Sequence, residues 1–262
     1  MRRAPRRAPA GYAALLGAAA LALVTGCSGS DPQAPAGAPP SSASTAPGTT
    51  TAPAASPTDE PEPTTTNTLP PPPRPSGPAP TTAGPLSAAS LPVPDGWRTV
   101  EPPGNDEVGQ QGNGSWVQAL DPRYAAQGAV SVGCADVTRD DYADPTAALE
   151  GGFESRAGDP GVGLALEFGS EADASTFWRT YVAGVRACEG GTDGISTTGV
   201  REPATGSGSG LVDRRTDETQ DPTDWTEVGA LRGRRVVLLN LGDPGHRTSE
   251  AAADALLGRI PA

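Results

Sequence analysis

Residues 28–90 hold almost no side chain that a hydrophobic core can use. They are mostly Pro, Ala, Ser, Thr and Gly, with runs such as Thr49-Thr50-Thr51, Thr64-Thr65-Thr66 and Pro70 to Pro73. Such a stretch buries too little apolar surface to offset the entropy of ordering its backbone. Its prolines favour the polyproline II helix, which rises about 3.1 Å per residue, so the expectation is a disordered tether of long reach. Its Ser and Thr residues also suit O-linked sugars. Folding is therefore left to residues 91–262, a length that suits one domain.

Residues 1–27 have the layout of an export signal. Arg2, Arg3, Arg6 and Arg7 precede an apolar run from Gly11 to Val24. That run falls short of the roughly 20 residues a bilayer-spanning helix needs, so it reads as a signal-peptide core. The pairs Arg2-Arg3 and Arg6-Arg7 leave the Sec and twin-arginine routes both open. The run ends in Val24-Thr25-Gly26-Cys27, which resembles the lipobox of bacterial lipoproteins. In such sequences the cysteine thiol receives a diacylglyceryl group, and cleavage falls just before it. Two acyl chains anchor stably, because each buried methylene contributes about 0.8 kcal/mol. The expected location is the outer face of the cytoplasmic membrane, extracytoplasmic and held through the lipid on Cys27.

The domain that follows is acidic. From Leu91 onward there are 14 arginines, no lysine and 27 Asp or Glu residues. This balance argues against nucleic acid, whose binding needs a basic patch, and would favour cations, cationic peptides or basic proteins. It also serves solubility. Beyond Cys27 the only cysteines are Cys134 and Cys188. Outside the cytoplasm two such thiols are expected to oxidise, giving a Cys134–Cys188 disulfide.

Periodicity predicts a helix over Glu171 to Ala187, capped by Ser170, with Ala174, Phe177, Trp178, Tyr181, Val182 and Val185 on one face. Alternation predicts strands at Ala129 to Val137 and Val162 to Phe168, with weaker ones at Ser115 to Leu120 and Gly210 to Arg215. Trp225 to Leu231 and Arg235 to Leu241 read as a hairpin about Arg232-Gly233-Arg234. A short helix is expected over Pro145 to Phe153 and a last one over Ser249 to Arg259. The order implies an α+β fold, an antiparallel sheet with helices packed on one face.

The stretch Leu166 to Ala174, through Phe177-Trp178 to Ala187-Cys188-Glu189-Gly190, resembles the PknH-like extracellular sensor domains of actinobacteria: a strand ending in Phe, a small cap, an Ala-rich helix and a closing cysteine. The later Glu227 to Leu241 hairpin and terminal helix are similar too. The resemblance covers about Val162 to Ile260 and implies an α+β domain with a cleft for an extracellular ligand. It differs in having cysteines for one disulfide where that family commonly has two. PsbP-like and LpqN-like lipoprotein domains are a rival resemblance.

Catalytic signals are sparse. His246 is the sole histidine and sits in a turn-like Asp243-Pro244-Gly245-His246. Gly206-Ser207-Gly208-Ser209-Gly210 matches a nucleophile elbow in letters, but a strand follows it rather than a helix. Asp136, Asp140, Asp141 and Asp144 lack the EF-hand spacing and read as a cap plus a solvated loop. No cofactor or metal is expected. Trp97, Trp116 and Trp225 are candidate ligand-binding residues, although core packing is their commoner role. The leading expectation is a non-catalytic sensor or ligand-binding module that takes a small molecule, a wall fragment or an envelope protein. The alternative is a structural or accessory envelope protein acting by protein–protein contacts, and a hydrolase ranks last.

Overall fold

The strongly alternating and continuously apolar stretches of the chain become the middle of a single antiparallel sheet. The computed structural model describes residues 77–102, 112–191, 194–206, 208–218 and 223–262, all within one unit. The expected signal peptide, Cys27 and most of the expected tether lie outside the described residues. Nine strands are present among the described residues: β1 Trp97–Val100, β2 Val117–Leu120, β3 Ala147–Ser155, β4 Pro160–Glu167, β5 Ile195–Arg201, β6 Ala204–Thr205, β7 Gly208–Asp217, β8 Thr223–Arg232 and β9 Arg235–Gly242. They run in the order β1-β3-β4-β9-β8-β7-β5, with β2 also paired to β3 and β6 to β7. Gly233 opens the two-residue β8–β9 turn at φ +55°, a conformation that favours glycine.

Among the described residues three α-helices cover the sheet, and they do so on both faces. Helices α1 (Pro122–Val130) and α2 (Glu171–Arg186) share a core with Ala148, Leu166, Val236 and Leu238. Helix α3 (Glu250–Arg259) shares the opposite core with Leu149, Ala165, Val237 and Leu239. The expectation of helices on one face is thus corrected. Its reason lies in β9, where Val236-Val237-Leu238-Leu239 is apolar on both sides and so needs cover on both. Leu86 and Leu91 complete the α3 side, and the Ala119 amide donates to the Pro80 carbonyl at 2.7 Å, so residues 77–90 pack on the domain and correct the expectation that the disordered tether runs to residue 90.

Capping places α2 and α3 where periodicity expects them. The Ser170 hydroxyl accepts the Asp173 amide at 3.1 Å, and the Ser249 hydroxyl accepts that of Ala252 at 3.2 Å. Two other expectations fail. Residues 129–137 are not a strand: α1 occupies 122–130, because Asp121 caps it, Pro122 fills its first turn and alanines dominate its body. Residues 145–153 are not a helix, since Gly151-Gly152 weakens helix formation and 147–155 pairs on both sides instead.

The structure joins Cys134 to Cys188. Cys134 lies in the loop after α1 and Cys188 just past α2, so the bond ties two helix ends rather than a helix to a strand. Glycine makes the approach feasible: a Cβ on Gly133 would lie 2.9 Å from the Gly184 Cα. The bond also serves the sheet. The outward amide of Thr197 on edge strand β5 donates to the Cys188 carbonyl at 3.2 Å, which covers part of an open edge. Replacing both cysteines by alanine should lower the unfolding free energy by about 4 kcal/mol for a 54-residue separation, measured by urea denaturation.

Candidate functional site

Three polar constellations arise from this frame, and each has a different chemical capacity. The first is buried. On β7 and β8, alternation turns Asp213, Arg215 and Glu227 under α2, where each is at most 1 % exposed. Arg215 Nη2 donates to Asp213 Oδ2 at 3.2 Å and to Glu227 Oε2 at 3.1 Å, while Nη1 donates to the Val132 carbonyl at 2.8 Å. Tyr181 of α2 donates its hydroxyl to Glu227, and Thr197 of β5 donates to Asp213 at 3.0 Å. One cation thus serves two carboxylates. Burial and the Asp213 charge push the Glu227 carboxyl up to about 7, against the opposing pull of Arg215 and the Tyr181 hydroxyl. Burial, then the Glu227 charge, pushes the Tyr181 phenol well up. For Arg215, burial works against the cation, and the charges of Glu227 and Asp213, with the hydrogen bond to Asp213, outweigh it.

The second constellation is the turn before α3. Asp243 accepts the Thr226 hydroxyl at 2.7 Å and the Arg247 amide at 2.8 Å, and it takes the Thr248 amide as well. Burial opposes ionisation of Asp243, but these donors overcome it and hold the carboxyl below its usual range. His246 adopts φ +50°. Its Nε2 lies 3.3 Å from Thr216 Oγ1 and 3.7 Å from Asp224 Oδ1, while its Nδ1 is buried without a partner. Thr216 donates to Asp224, and that bond, with the Gly245 amide, lowers the Asp224 carboxyl. A relay needs hydroxyl and carboxylate on opposite ring nitrogens. Here both approach the same one, so the arrangement fixes a turn. Ser207 of the elbow-like sequence lies outside the described residues.

The third constellation is on the surface. After α1 the chain turns at Ser131, whose hydroxyl donates to the Gly128 carbonyl, and then clamps to α2 through Cys134 N–H to Gly184 O at 3.0 Å. From 135 to 140 burial alternates: Ala135, Val137 and Arg139 turn inward, while Asp136, Thr138 and Asp140 are exposed. Tyr142 closes the loop by packing edge-on against Phe177 at 5.4 Å. Between α1 and this loop lies a depression of about 140 Å³, lined by Val130, Ala135, Val137 and Tyr142 together with the polar side chains of Gln127, Ser131 and Arg139. A smaller one of about 50 Å³ lies between β5, β7 and α3, beside Arg201 and Arg214.

The tryptophans do not converge. Trp97 and Trp116 pack on the α3-side core, Trp116 with its ring centroid 5.6 Å from that of Phe153. Trp225 stands two residues from Glu227 and so faces the α2 side, its indole N–H buried without an acceptor. Among the four aspartates of the loop, Asp141 accepts the Thr138 amide at 2.6 Å and Asp144 pairs with Arg139 at 2.6 Å. Among the described residues no three His, Cys, Asp or Glu side chains gather to hold a metal, and no helix is long and apolar enough to cross a membrane. The surface loop escapes sequence reasoning because 129–137 mimics strand alternation. Asp121-Pro122 ahead of an alanine run is the signal that would have found α1 and, after it, the loop.

No family model and no curated protein matches the chain. Among solved structures, the extracellular domain of PknH from Mycobacterium tuberculosis is similar over 63% of this chain and 79% of that one, at 13% identity and a TM-score of 0.35. A likeness that distant carries neither fold nor function across, so the functional reading rests on this chain's own residues.

Wild type should lose stability relative to Glu227→Gln as pH rises. The native carboxyl holds its proton to about 7, whereas an unfolded glutamate releases it near 4.5, so the contribution is full below pH 4.5 and gone above 7. The difference should amount to roughly 3 kcal/mol over that window. Urea titrations of both proteins from pH 4.5 to 8 would read it, and parallel curves would refute it.

Proposed function

We propose that this chain is a lipid-anchored envelope protein whose folded domain is a non-catalytic binding module, acting through the depression between α1 and the 131–142 loop. The observation that carries the reading is a small recess of mixed polar and apolar lining on a loop that is already fixed. The disulfide, the Cys134–Gly184 hydrogen bond and the Arg215–Val132 hydrogen bond all hold the loop in place before any partner arrives. Preorganisation of that kind lowers the entropic cost of binding. The other two constellations spend most of their polar groups on internal bonds.

Size selects among partners. Pockets for whole small molecules run from about 300 to 1,000 Å³, whereas a cavity of about 150 Å³ takes one benzene-sized group. A recess of about 140 Å³ suits a single side chain or ring. Protein–protein contact therefore fits better than capture of a small molecule, which moves the accessory reading ahead of the small-molecule sensor.

Methyl-resolved NMR of the full chain in uncharged micelles tests the site. Millimolar N-acetyl-leucinamide should shift the methyl signals of Val130, Ala135 and Val137, and Val137→Trp should abolish the shifts by filling the recess. Shifts confined to methyls elsewhere would reject it. The anchor has its own test: Cys27→Ser should move the protein out of the membrane fraction and remove the acyl mass from its N-terminal peptide. An unmodified wild-type peptide beginning at Met1 would count against the anchor.

A further inference from the structure

The geometry points to Asn113 as a self-modification site, whose side chain closes on the Gly114 nitrogen, releases ammonia and leaves an aspartate or isoaspartate that unlatches residues 77–83. The inference is independent of the binding reading. The site is the turn ahead of β2, Gly112-Asn113-Gly114-Ser115. The Gly114 amide donates to Glu101 Oε1 at 2.7 Å, so the proton that the nucleophile must lose already faces a carboxylate. The Ser115 amide donates to Asn113 Oδ1 at 2.8 Å. This Asx-turn folds the side chain back over its own backbone and polarises the carbonyl under attack. Gly114 adopts φ +70° and has open space where a Cβ would stand, so nothing crowds the nucleophile. Gly112 admits the base, since a Cβ there would collide with Glu101 Oε1.

In the reaction the Gly114 nitrogen bonds to Asn113 Cγ as its proton passes to Glu101. The Cγ–Nδ2 bond breaks, and the departing nitrogen takes up a proton to leave as ammonia. Gly114 is exposed, so water reaches the cyclic imide and opens it at either carbonyl. The net change is asparagine plus water to aspartate or isoaspartate plus ammonia. Its structural effect follows from what Asn113 holds. Nδ2 donates to the carbonyls of Ala79 at 2.9 Å and Val117 at 3.0 Å, which latches residues 77–83 to the start of β2 beside the Ala119–Pro80 bond. A carboxylate has no proton to donate there, and it sets a negative charge against both carbonyl oxygens.

The test ages the full chain in uncharged micelles beside a blocked Gln-Gly-Asn-Gly-Ser peptide, with peptide mapping that separates asparagine, aspartate and isoaspartate at 113. The folded chain should convert faster than the peptide. Glu101→Gln keeps a side-chain acceptor for the Gly114 amide but removes the base, and should slow the folded chain about tenfold or more. In urea the same substitution should change nothing, because the turn is gone. A folded chain that ages no faster than the peptide, or a Glu101→Gln rate equal to that of wild type, overturns the site. Asn113→Asp tests the latch without ageing. Hydrogen exchange at the Ala119 amide should quicken about tenfold, while amides in the middle of β9 keep their protection. Unchanged exchange at Ala119 refutes the unlatching.

Discussion

Arg215 is the point through which the α1–α2 side of the molecule is tied together. Its guanidinium meets β8 at Glu227 and the loop after α1 at Val132, and through Asp213 it reaches β5 at Thr197. Tyr181 brings in α2 by its bond to Glu227. Five separate segments therefore converge on one buried cation. Such a centre adds little net stability, because stripping water from the ions is costly, but losing one partner leaves a buried charge exposed to that cost. Its value here is positional. A slip of β7 by one residue would turn Asp213 and Arg215 to the α3 face and leave Glu227 and Tyr181 without the cation, so the centre pins strand register.

Pinning matters because the sheet itself is permissive. Central strands such as β9 are apolar on both faces, so hydrophobicity alone would tolerate either side against either helix layer. A charged cluster on one face removes that freedom. A second buried cation does similar work at the far end of the opposite layer. Arg232 donates to the carbonyls of Ser209, Leu231 and Leu257, and so binds the end of α3 to the β7–β8 pair through backbone acceptors. Burial lowers its hold on the proton, and the C-terminal end of the α3 dipole favours the cation.

The parts of this architecture legible in the sequence were those with a strong local cause. Ser170 and Ser249 cap their helices by their own side chains, and two apolar runs, Trp225 to Leu231 and Arg235 to Leu241, flank a glycine turn, so α2, α3 and the β8–β9 hairpin could be read directly. The parts that escaped depend on distant partners. Residues 129–137 alternate as a strand would, yet Asp121-Pro122 upstream starts a helix that consumes Ala129 and Val130. Asp144-Pro145 looks like a helix start, yet β2 and β4 on either side of β3 make the strand. Edge strand β5, Ile-Ser-Thr-Thr-Gly-Val-Arg, is too polar to announce itself. The ionic centre was hidden for the same reason: Asp213 and Arg215 look like surface charges until Glu227 and Tyr181 are brought to them. The recess was invisible because it is made by a loop whose walls come from α1 and from a turn held by a disulfide.

A one-side-chain recess gives modest affinity in free solution, since one buried apolar group contributes only about 1.5–3 kcal/mol before the cost of association. The proposed anchor changes that arithmetic. Under that proposal, a domain anchored at Cys27 through the residues ahead of position 77 would sample a limited shell above the membrane, and a partner held on the same surface would share that volume. Encounter then becomes effectively intramolecular, at concentrations set by the tether rather than by bulk solution. A fixed loop, a small recess and a long anchor would form a consistent set under the proposed reading: the recess would select one side chain, and the anchor would supply the local concentration that so small a contact requires.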